Sequence, residues 1–169
     1  FDFDLPPELI AQHPAAQRSG SRLLDGSSPA VVDRIFHELP SLLNAGDLLV
    51  FNDTKVVKAR IFGEKASGGK LELLIERVLP GHQVVAHMKV SKKPLVGGKM
   101  FMMGGARKGG FDAVLLGRWP DENGQLFHLQ LSDEPHALME KHGVVPLPPY
   151  IERSAGAIEH PDTEEDAQR

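Results

Sequence analysis

Six short apolar segments separated by turns fill the middle of the sequence, and this pattern constrains the fold more than any other feature. The predicted strands span residues 56–62, 70–79, 83–90, 99–103, 111–116 and 126–131. Tight turns are favoured between them, at Gly68-Gly69, Pro80-Gly81, Gly97-Gly98, Gly104-Gly105 and Asn123-Gly124. Six short antiparallel strands at this spacing predict a small closed barrel, because closure removes exposed sheet edges.

The sequence on either side of this run predicts helices alternating with strands. Short helices are predicted over 6–11 and 40–44, and strands over 31–36 and 47–51, with Gly46 as a left-handed cap. We expect the two strands to be neighbours in one sheet. A further helix is predicted over 133–142, ending before Gly143. A helix followed by a buried hydrophobic strand is typical of α/β proteins, so the flanks predict that class.

The composition excludes several classes of protein. The chain has no cysteine, which excludes disulfide scaffolds and cysteine zinc sites and fits a reducing compartment. No apolar run approaches the ~20 residues that a membrane-spanning helix needs. The first residues also lack the basic and apolar regions of a secretory signal. We therefore expect a cytoplasmic, monomeric protein that makes no membrane contact.

Charge is distributed unevenly along the chain. Residues 55–108 contain 12 basic and 3 acidic side chains, for 12 − 3 = +9, while the remainder carries 7 − 20 = −13. The net charge of −4 is therefore the sum of a strongly basic middle segment and strongly acidic flanking segments. This asymmetry favours a polyanion as the partner of the middle segment. The alternative is that the lysines serve solubility and protect sheet edges.

Motifs of common cofactor and metal sites are absent. The sequence has no G-x-G-x-x-G after a strand, no Walker loop and no H-E-x-x-H. Its richest glycine run, residues 104–110, lies between predicted strands, so a flexible hairpin is favoured over a phosphate cradle. The eight histidines show no spacing that would place ligands on a common face. We predict no metal and no cofactor.

Three polar clusters are candidates for binding or chemistry. Asn52, Asp53, Thr54 and Lys55 directly follow the predicted strand 47–51, and open α/β sheets place ligand sites at such strand ends. The alternative is an ordinary turn in which Asp53 caps backbone amides. The other two clusters each place a small hydroxyl side chain beside lysine at a turn, and this combination can bind a phosphodiester. The alternative is an ordinary hairpin with an exposed lysine. Their residues are Ser67, Gly68, Gly69 and Lys70 in one, and Ser91, Lys92 and Lys93 in the other.

Five longer strings of the sequence are distinctive: FDLPPELIAQ at 3–12, RSGSRLL at 18–24, GDLLVFNDTKVVKAR at 46–60, ASGGK at 66–70 and PLPPYIER at 146–153. Together they resemble one enzyme family, the S-adenosylmethionine:tRNA ribosyltransferase-isomerases of queuosine biosynthesis. Two features depart from the family pattern: Lys58 replaces a usual proline, and the glycine run 104–110 is not a family signature. Family members are longer, and the chain starts without Met and stops in a charged stretch, so we expect a truncated N-terminal part.

The resemblance implies a reaction and a set of residues. The family transfers and isomerises the ribosyl part of S-adenosylmethionine, a substrate rather than a cofactor, onto 7-aminomethyl-7-deazaguanine in tRNA. The products are epoxyqueuosine, adenine and methionine. The implied fold is a discontinuous α/β body, residues 1–61 and 132–169, with the β-barrel 62–131 inserted.

Within the matching strings, Asp53 is the candidate catalytic residue. The substrate-binding candidates are Asn52, Thr54, Lys55, Arg60, Tyr150 and Arg153, and the lysine turns would bind tRNA. The alternative function is a non-catalytic tRNA-binding barrel; a purely structural barrel ranks last. The Asn52-Asp53-Thr54 cluster favours the enzyme, because a carboxylate such as that of Asp53 repels phosphate.

Overall fold

The structure is a computed structural model that describes residues 3–148 and 150–151. The described residues form two compact units, one of residues 3–55 with 150–151 and the other of residues 56–148. No helix in these ranges is both long and apolar enough to cross a membrane.

The first unit contains a two-stranded antiparallel hairpin. Strand β1 (Arg22–Asp25) pairs with β2 (Val32–Ile35), with Arg22 opposite Ile35. Arg34 Nε lies 2.8 Å from Asp25 Oδ2 and joins the two strands by an ion pair. Hydrogen bonds from the Ser27 hydroxyl and backbone N–H, followed by Arg34, lower the pKa of Asp25 to about 2. The hairpin is therefore tied together by a carboxylate that stays ionised well into acid.

The helices in this unit are 3-10 helices, and their bounds differ from those predicted. The helix expected over 6–11 is a 3-10 turn, Pro7–Leu9, and the one expected over 40–44 is part of a 3-10 helix, Phe36–Leu42. The backbone N–H of Ile35 donates to Glu38 Oε1 at 2.7 Å, which fixes the start of the second helix. Pro40 lies inside that helix, where it has no N–H to donate, and the α-helical hydrogen-bond pattern is not formed.

One predicted strand in this unit is wrong. Residues 48–51 form no strand, and Leu48, Val50 and Phe51 are 85%, 85% and 77% exposed. The predicted partnership of 31–36 with 47–51 is also wrong, because β2 pairs with β1 instead. A hydrophobic run makes a strand only where another strand supplies hydrogen-bond partners, and the described residues offer none to 48–51. No α/β sheet is present in the described part of this unit.

The second unit is built around the predicted six-stranded antiparallel barrel, which is confirmed. Its strands are β3 (Arg60–Lys65), β4 (Lys70–Leu79), β5 (Gln83–Val90), β6 (Lys99–Met102), β7 (Phe111–Trp119) and β8 (Leu126–Leu131). They close in the order β3-β4-β5-β8-β7-β6. Strand β7 runs past its predicted end because, beyond an irregularity between Leu115 and Gly117, it continues to pair with β8 as far as Trp119. Strand β3 begins four residues later than predicted.

Alternation along the strands fills the barrel interior. Ile61, Leu73, Met100, Met102 and Leu129 are each 0% exposed and belong to one continuous core. Their outward neighbours, such as Phe62, Glu64 and Lys99, are partly or fully exposed. This period of two places every second residue in the interior and leaves the outer face of the barrel free for contacts.

A single α-helix, α1 (Pro135–His142), packs onto this barrel. Its start is capped by Glu134, whose carboxylate accepts hydrogen bonds from Ala137 N and His136 N, and these bonds lower the pKa of Glu134. Leu138 and Met139 join the barrel core. The helix predicted over 133–142 is thus confirmed in kind, and it lies in the same compact unit as the barrel. The grouping of 1–61 with 132–169 in one α/β body stays a prediction.

Candidate functional site

The Asn52-Asp53-Thr54-Lys55 cluster forms an exposed turn in the first unit. Asn52 Oδ1 accepts hydrogen bonds from the backbone N–H of Thr54 at 3.0 Å and from its hydroxyl at 2.7 Å. The turn is therefore held by Asn52, and Asp53 does not have the capping role that the alternative interpretation gave it. The predicted setting at the end of a buried strand is wrong, since residues 48–51 are exposed and unpaired with another strand.

Of three further substrate-binding candidates, the structure describes two, and these occupy different settings. Tyr150 is 57% exposed in the first unit, and its backbone carbonyl accepts a hydrogen bond from Gln12 Nε2 at 3.1 Å. Arg60 belongs to the barrel unit, where its backbone exchanges hydrogen bonds with Val144 and its Nε lies 3.0 Å from Glu72 Oε1. Arg153 lies outside the described residues. The structure thus joins Asn52 to Thr54 and places Arg60 in the wall of the barrel.

Both predicted tRNA-binding clusters lie at one end of the barrel. Ser67, Gly68 and Gly69 form the turn between β3 and β4, with φ of 78° at Gly68 and 94° at Gly69, a backbone that glycine adopts without strain. Lys70 is the first residue of β4. Because Leu71 pairs with Val90, the last residue of β5, the next residue, Ser91, lies beside Lys70. Lys65 Nζ donates to the carbonyl of Lys92 at 2.9 Å and ties the two turns together.

The side chains of this end remain available to a ligand. Lys70, Lys92 and Lys93 are exposed, and within residues 3–148 none of them forms an ion pair with a carboxylate. Cations held by a rigid turn scaffold and free of intramolecular carboxylates are suited to phosphate groups. Two clusters that are 20 residues apart in the sequence therefore form one basic surface, which we call the lysine end: Ser67, Gly68, Gly69, Lys70, Ser91, Lys92 and Lys93.

Two grooves lie on the outer wall of the barrel. One, of about 450 Å³, is lined by Phe62, Lys70, Leu71, Glu72, Lys89, Val90 and Ser91. The other, of about 440 Å³, lies beside the glycine run and includes Lys99, Phe101, Arg107 and Lys108. The sequence analysis missed this second groove, although the Arg-Lys pair inside the glycine run was a visible signal. Among the described residues, no group of three or more histidine or acidic side chains could hold a metal ion.

Comparisons with known proteins identify a family. The model of the family described as "Queuosine biosynthesis protein" matches residues 1–168. The chain is 45% identical over 158 residues to the S-adenosylmethionine:tRNA ribosyltransferase-isomerase of Azoarcus sp. (strain BH72), and 48% identical over 159 residues to that of Herminiimonas arsenicoxydans. These alignments cover 92% and 94% of the chain but 43% and 44% of the relatives. The chain thus spans less than half the length of these relatives.

A solved structure is also similar. The S-adenosylmethionine tRNA ribosyltransferase of Thermotoga maritima is 32% identical in sequence, and the match covers 84% of this chain and 48% of that one, with a TM-score of 0.41.

Proposed function

Because the chain belongs to the family of queuosine biosynthesis proteins, we propose that it is part of an S-adenosylmethionine:tRNA ribosyltransferase-isomerase. The observation that carries this proposal is the family match over residues 1–168, supported by relatives that are 45–48% identical. The proposed substrates are S-adenosylmethionine and a tRNA that carries 7-aminomethyl-7-deazaguanine at the wobble position. The proposed products are epoxyqueuosine in tRNA, adenine and methionine.

The proposed chemistry begins at the sulfonium of S-adenosylmethionine. A sulfonium acidifies the C–H bonds of the adjacent ribose 5′ carbon, so a general base removes a proton there. The aminomethyl nitrogen of the tRNA base then forms a bond to the ribosyl group as the bond to adenine breaks, and the amine gives up a proton to the base or to water. Methionine leaves with the electron pair of the carbon–sulfur bond. Asp53 is the proposed catalytic residue, since it carries an exposed carboxylate in a turn already held by Asn52 and Thr54. Lys55, Arg60, Tyr150 and Arg153 remain proposed substrate-binding residues.

For the tRNA, we propose contact through the lysine end of the barrel. Its cations are exposed, two of its turns are tied by the Lys65–Lys92 hydrogen bond, and residues 55–108 carry a net charge of +9. We also propose that the residues flanking the barrel, 1–61 and 132–169, belong to an α/β body in a protein with the full length of the relatives. Residues 48–51 are four apolar residues in succession, three of them more than three-quarters exposed, and they offer apolar surface that such a body would bury.

The test of this function is adenine release by a protein that carries this chain within the full length of its relatives. We expect adenine from S-adenosylmethionine in the presence of tRNA with the aminomethyl base. The matched control is the same tRNA with unmodified guanine, which has no amine to accept the ribosyl group. We expect no turnover from the 169-residue chain alone.

The alternative function, a tRNA-binding module without catalysis, gives a different result. In that case the chain binds tRNA, but the full-length protein neither releases adenine nor binds S-adenosylmethionine in a calorimetric titration. That combination of results would refute the enzyme proposal while leaving tRNA binding in place.

A further inference from the structure

The glycine run between β6 and β7 forms one wall of a groove on the outside of the barrel. The groove has a volume of about 440 Å³. Its floor is a row of outward-facing residues on adjacent strands: Glu64 of β3 pairs with Phe101 of β6, which pairs with Asp112 of β7. Lys99 precedes Phe101 on the same face of β6. A volume of this size falls in the range of small-ligand sites.

Hydrogen bonds fix the shape of the turn that overhangs this floor. The N–H of Ala106 donates to Asp112 Oδ1 at 3.1 Å, and the N–H of Gly110 donates to the Gly105 carbonyl at 2.9 Å. Gly105 has φ 77°, and a Cβ there would lie 3.0 Å from Cδ1 of Phe101. Glycine therefore lets the backbone fold down against the aromatic ring. The groove is preformed by a hydrogen-bonded hairpin.

The charges around the ring favour a polyanion. Lys99, Arg107 and Lys108 are all exposed, and within residues 3–148 none of them forms an ion pair with a carboxylate. Two carboxylates also line the groove, but that of Asp112 is engaged by the backbone of the turn. Glu64 remains exposed at the floor and can accept a hydrogen bond from an amino group.

A half-buried aromatic ring in a groove that is also lined by exposed cations has the chemistry of a site for unpaired nucleotides. Bases stack on aromatic side chains, while lysine and arginine contact the phosphates on either side. Lys99, at one edge of the groove, lies next to the turn between β3 and β4, because the N–H of Ala66 donates to the Lys99 carbonyl at 3.1 Å. A nucleic-acid strand that contacts the turn 66–70 can therefore continue onto Lys99.

We propose that this groove binds an unpaired nucleotide of the tRNA, with its base stacked on Phe101 and its flanking phosphates on Lys99, Arg107 and Lys108. The proposal rests on tRNA being the substrate and adds a second contact surface with a different mode of recognition. Recognition of the base plane at Phe101 makes the site selective for loops over paired stems, whose bases are already stacked.

The test uses the 169-residue chain and a fluorescently labelled anticodon stem-loop RNA, with affinity measured by anisotropy. Phe101→Leu keeps an apolar side chain but removes the stacking surface, and we expect binding to weaken by roughly 5- to 150-fold. Phe101→Trp restores a ring, and we expect near wild-type affinity. Because both variants keep a large apolar residue, a loss confined to Phe101→Leu reports stacking rather than folding.

The cations are tested by changing Lys99, Arg107 and Lys108 together to Gln. For single-stranded contacts, the slope of log affinity against log salt should become shallower by about 2. Lys141→Gln, an exposed lysine on α1, is the matched control and should leave the slope unchanged. A paired RNA duplex of equal length is expected to compete more weakly than the stem-loop.

Three results would contradict the proposed binding of a nucleotide in the groove. If the wild-type chain binds the stem-loop and both the Phe101→Leu and the triple Gln variant bind equally well, the groove is not used, and the tRNA function stands on the lysine end. If the wild-type chain binds no RNA, the groove proposal fails together with the chain's proposed tRNA contact. Weak competition from the stem-loop relative to the duplex would also contradict base stacking.

Discussion

The number of lysines at the lysine end predicts how much tRNA affinity is lost when their charges are removed. Changing Lys70, Lys92 and Lys93 together to Gln removes three exposed charges without adding repulsion. Each phosphate contact contributes about 0.7–0.9 to the slope of log affinity against log salt. Three contacts therefore make the slope shallower by about 2–3. If the two proteins bind equally at 1 M salt, this difference in slope makes the variant bind roughly 100- to 500-fold more weakly than wild type at about 0.1 M salt.

The structure indicates that this variant will fold normally. Lys65 Nζ bonds to the backbone carbonyl of Lys92, and this bond survives a change of the Lys92 side chain. All three lysines are exposed, so the free energy of unfolding should change by less than about 0.5 kcal/mol. The assay is anisotropy of a labelled tRNA between about 50 and 200 mM salt, with a thermal melt as the folding control. Equal affinity and equal slope for wild type and variant would refute the assignment of the lysine end to tRNA.

Three further changes test other parts of the account. Asp53→Ala in a protein of the relatives' full length should lower turnover with little change in tRNA affinity or melting temperature, since Asn52 holds the turn; a variant with normal turnover would exclude Asp53 from catalysis. Leu129→Ala, at a position that is 0% exposed, should lower the free energy of unfolding by about 2–5 kcal/mol in a denaturant titration, and a loss below about 1 kcal/mol would show that the barrel core is not packed there. The pKa of Asp25 falls from an ordinary 3.8 to about 2 on folding, so its contribution to stability is complete above pH 3.8 and is lost as pH falls towards 2. The difference in stability between wild type and Asp25→Asn should therefore shrink over that interval, and a difference independent of pH would contradict the stabilisation of the Asp25 carboxylate by Ser27 and Arg34.

The barrel could be predicted from the sequence because its signals are local. Strands β4, β5 and β8 have the predicted bounds, since apolar alternation and flanking glycine turns specify both their length and their inward face. The lysine end followed from the same reasoning, because the turns that carry it are set by the order of the strands. Antiparallel pairing then brings residues 67–70 and 91–93 to one end of the barrel.

Features that depend on residues far apart in the sequence could not be predicted from local sequence patterns. Residues 48–51 have the composition of a buried strand, yet burial needs a neighbour that the described residues do not supply. The strand predicted over 31–36 is confirmed as β2, but its partner β1 was missed because four residues with a charge at each end carry little periodicity. The groove at Phe101 depends on cross-strand registers between Glu64, Phe101 and Asp112, which appear only once the barrel has closed.

We propose that the outer face of the barrel is the tRNA-binding part of this chain. The most direct measurement is an NMR titration of the 169-residue chain, isotopically labelled, with the anticodon stem-loop RNA. We predict that amide shifts concentrate at residues 66–70, 91–93 and 99–108, with little change in the hairpin of β1 and β2. Shifts confined to that hairpin, or the absence of shifts in the barrel at low salt, would contradict the account.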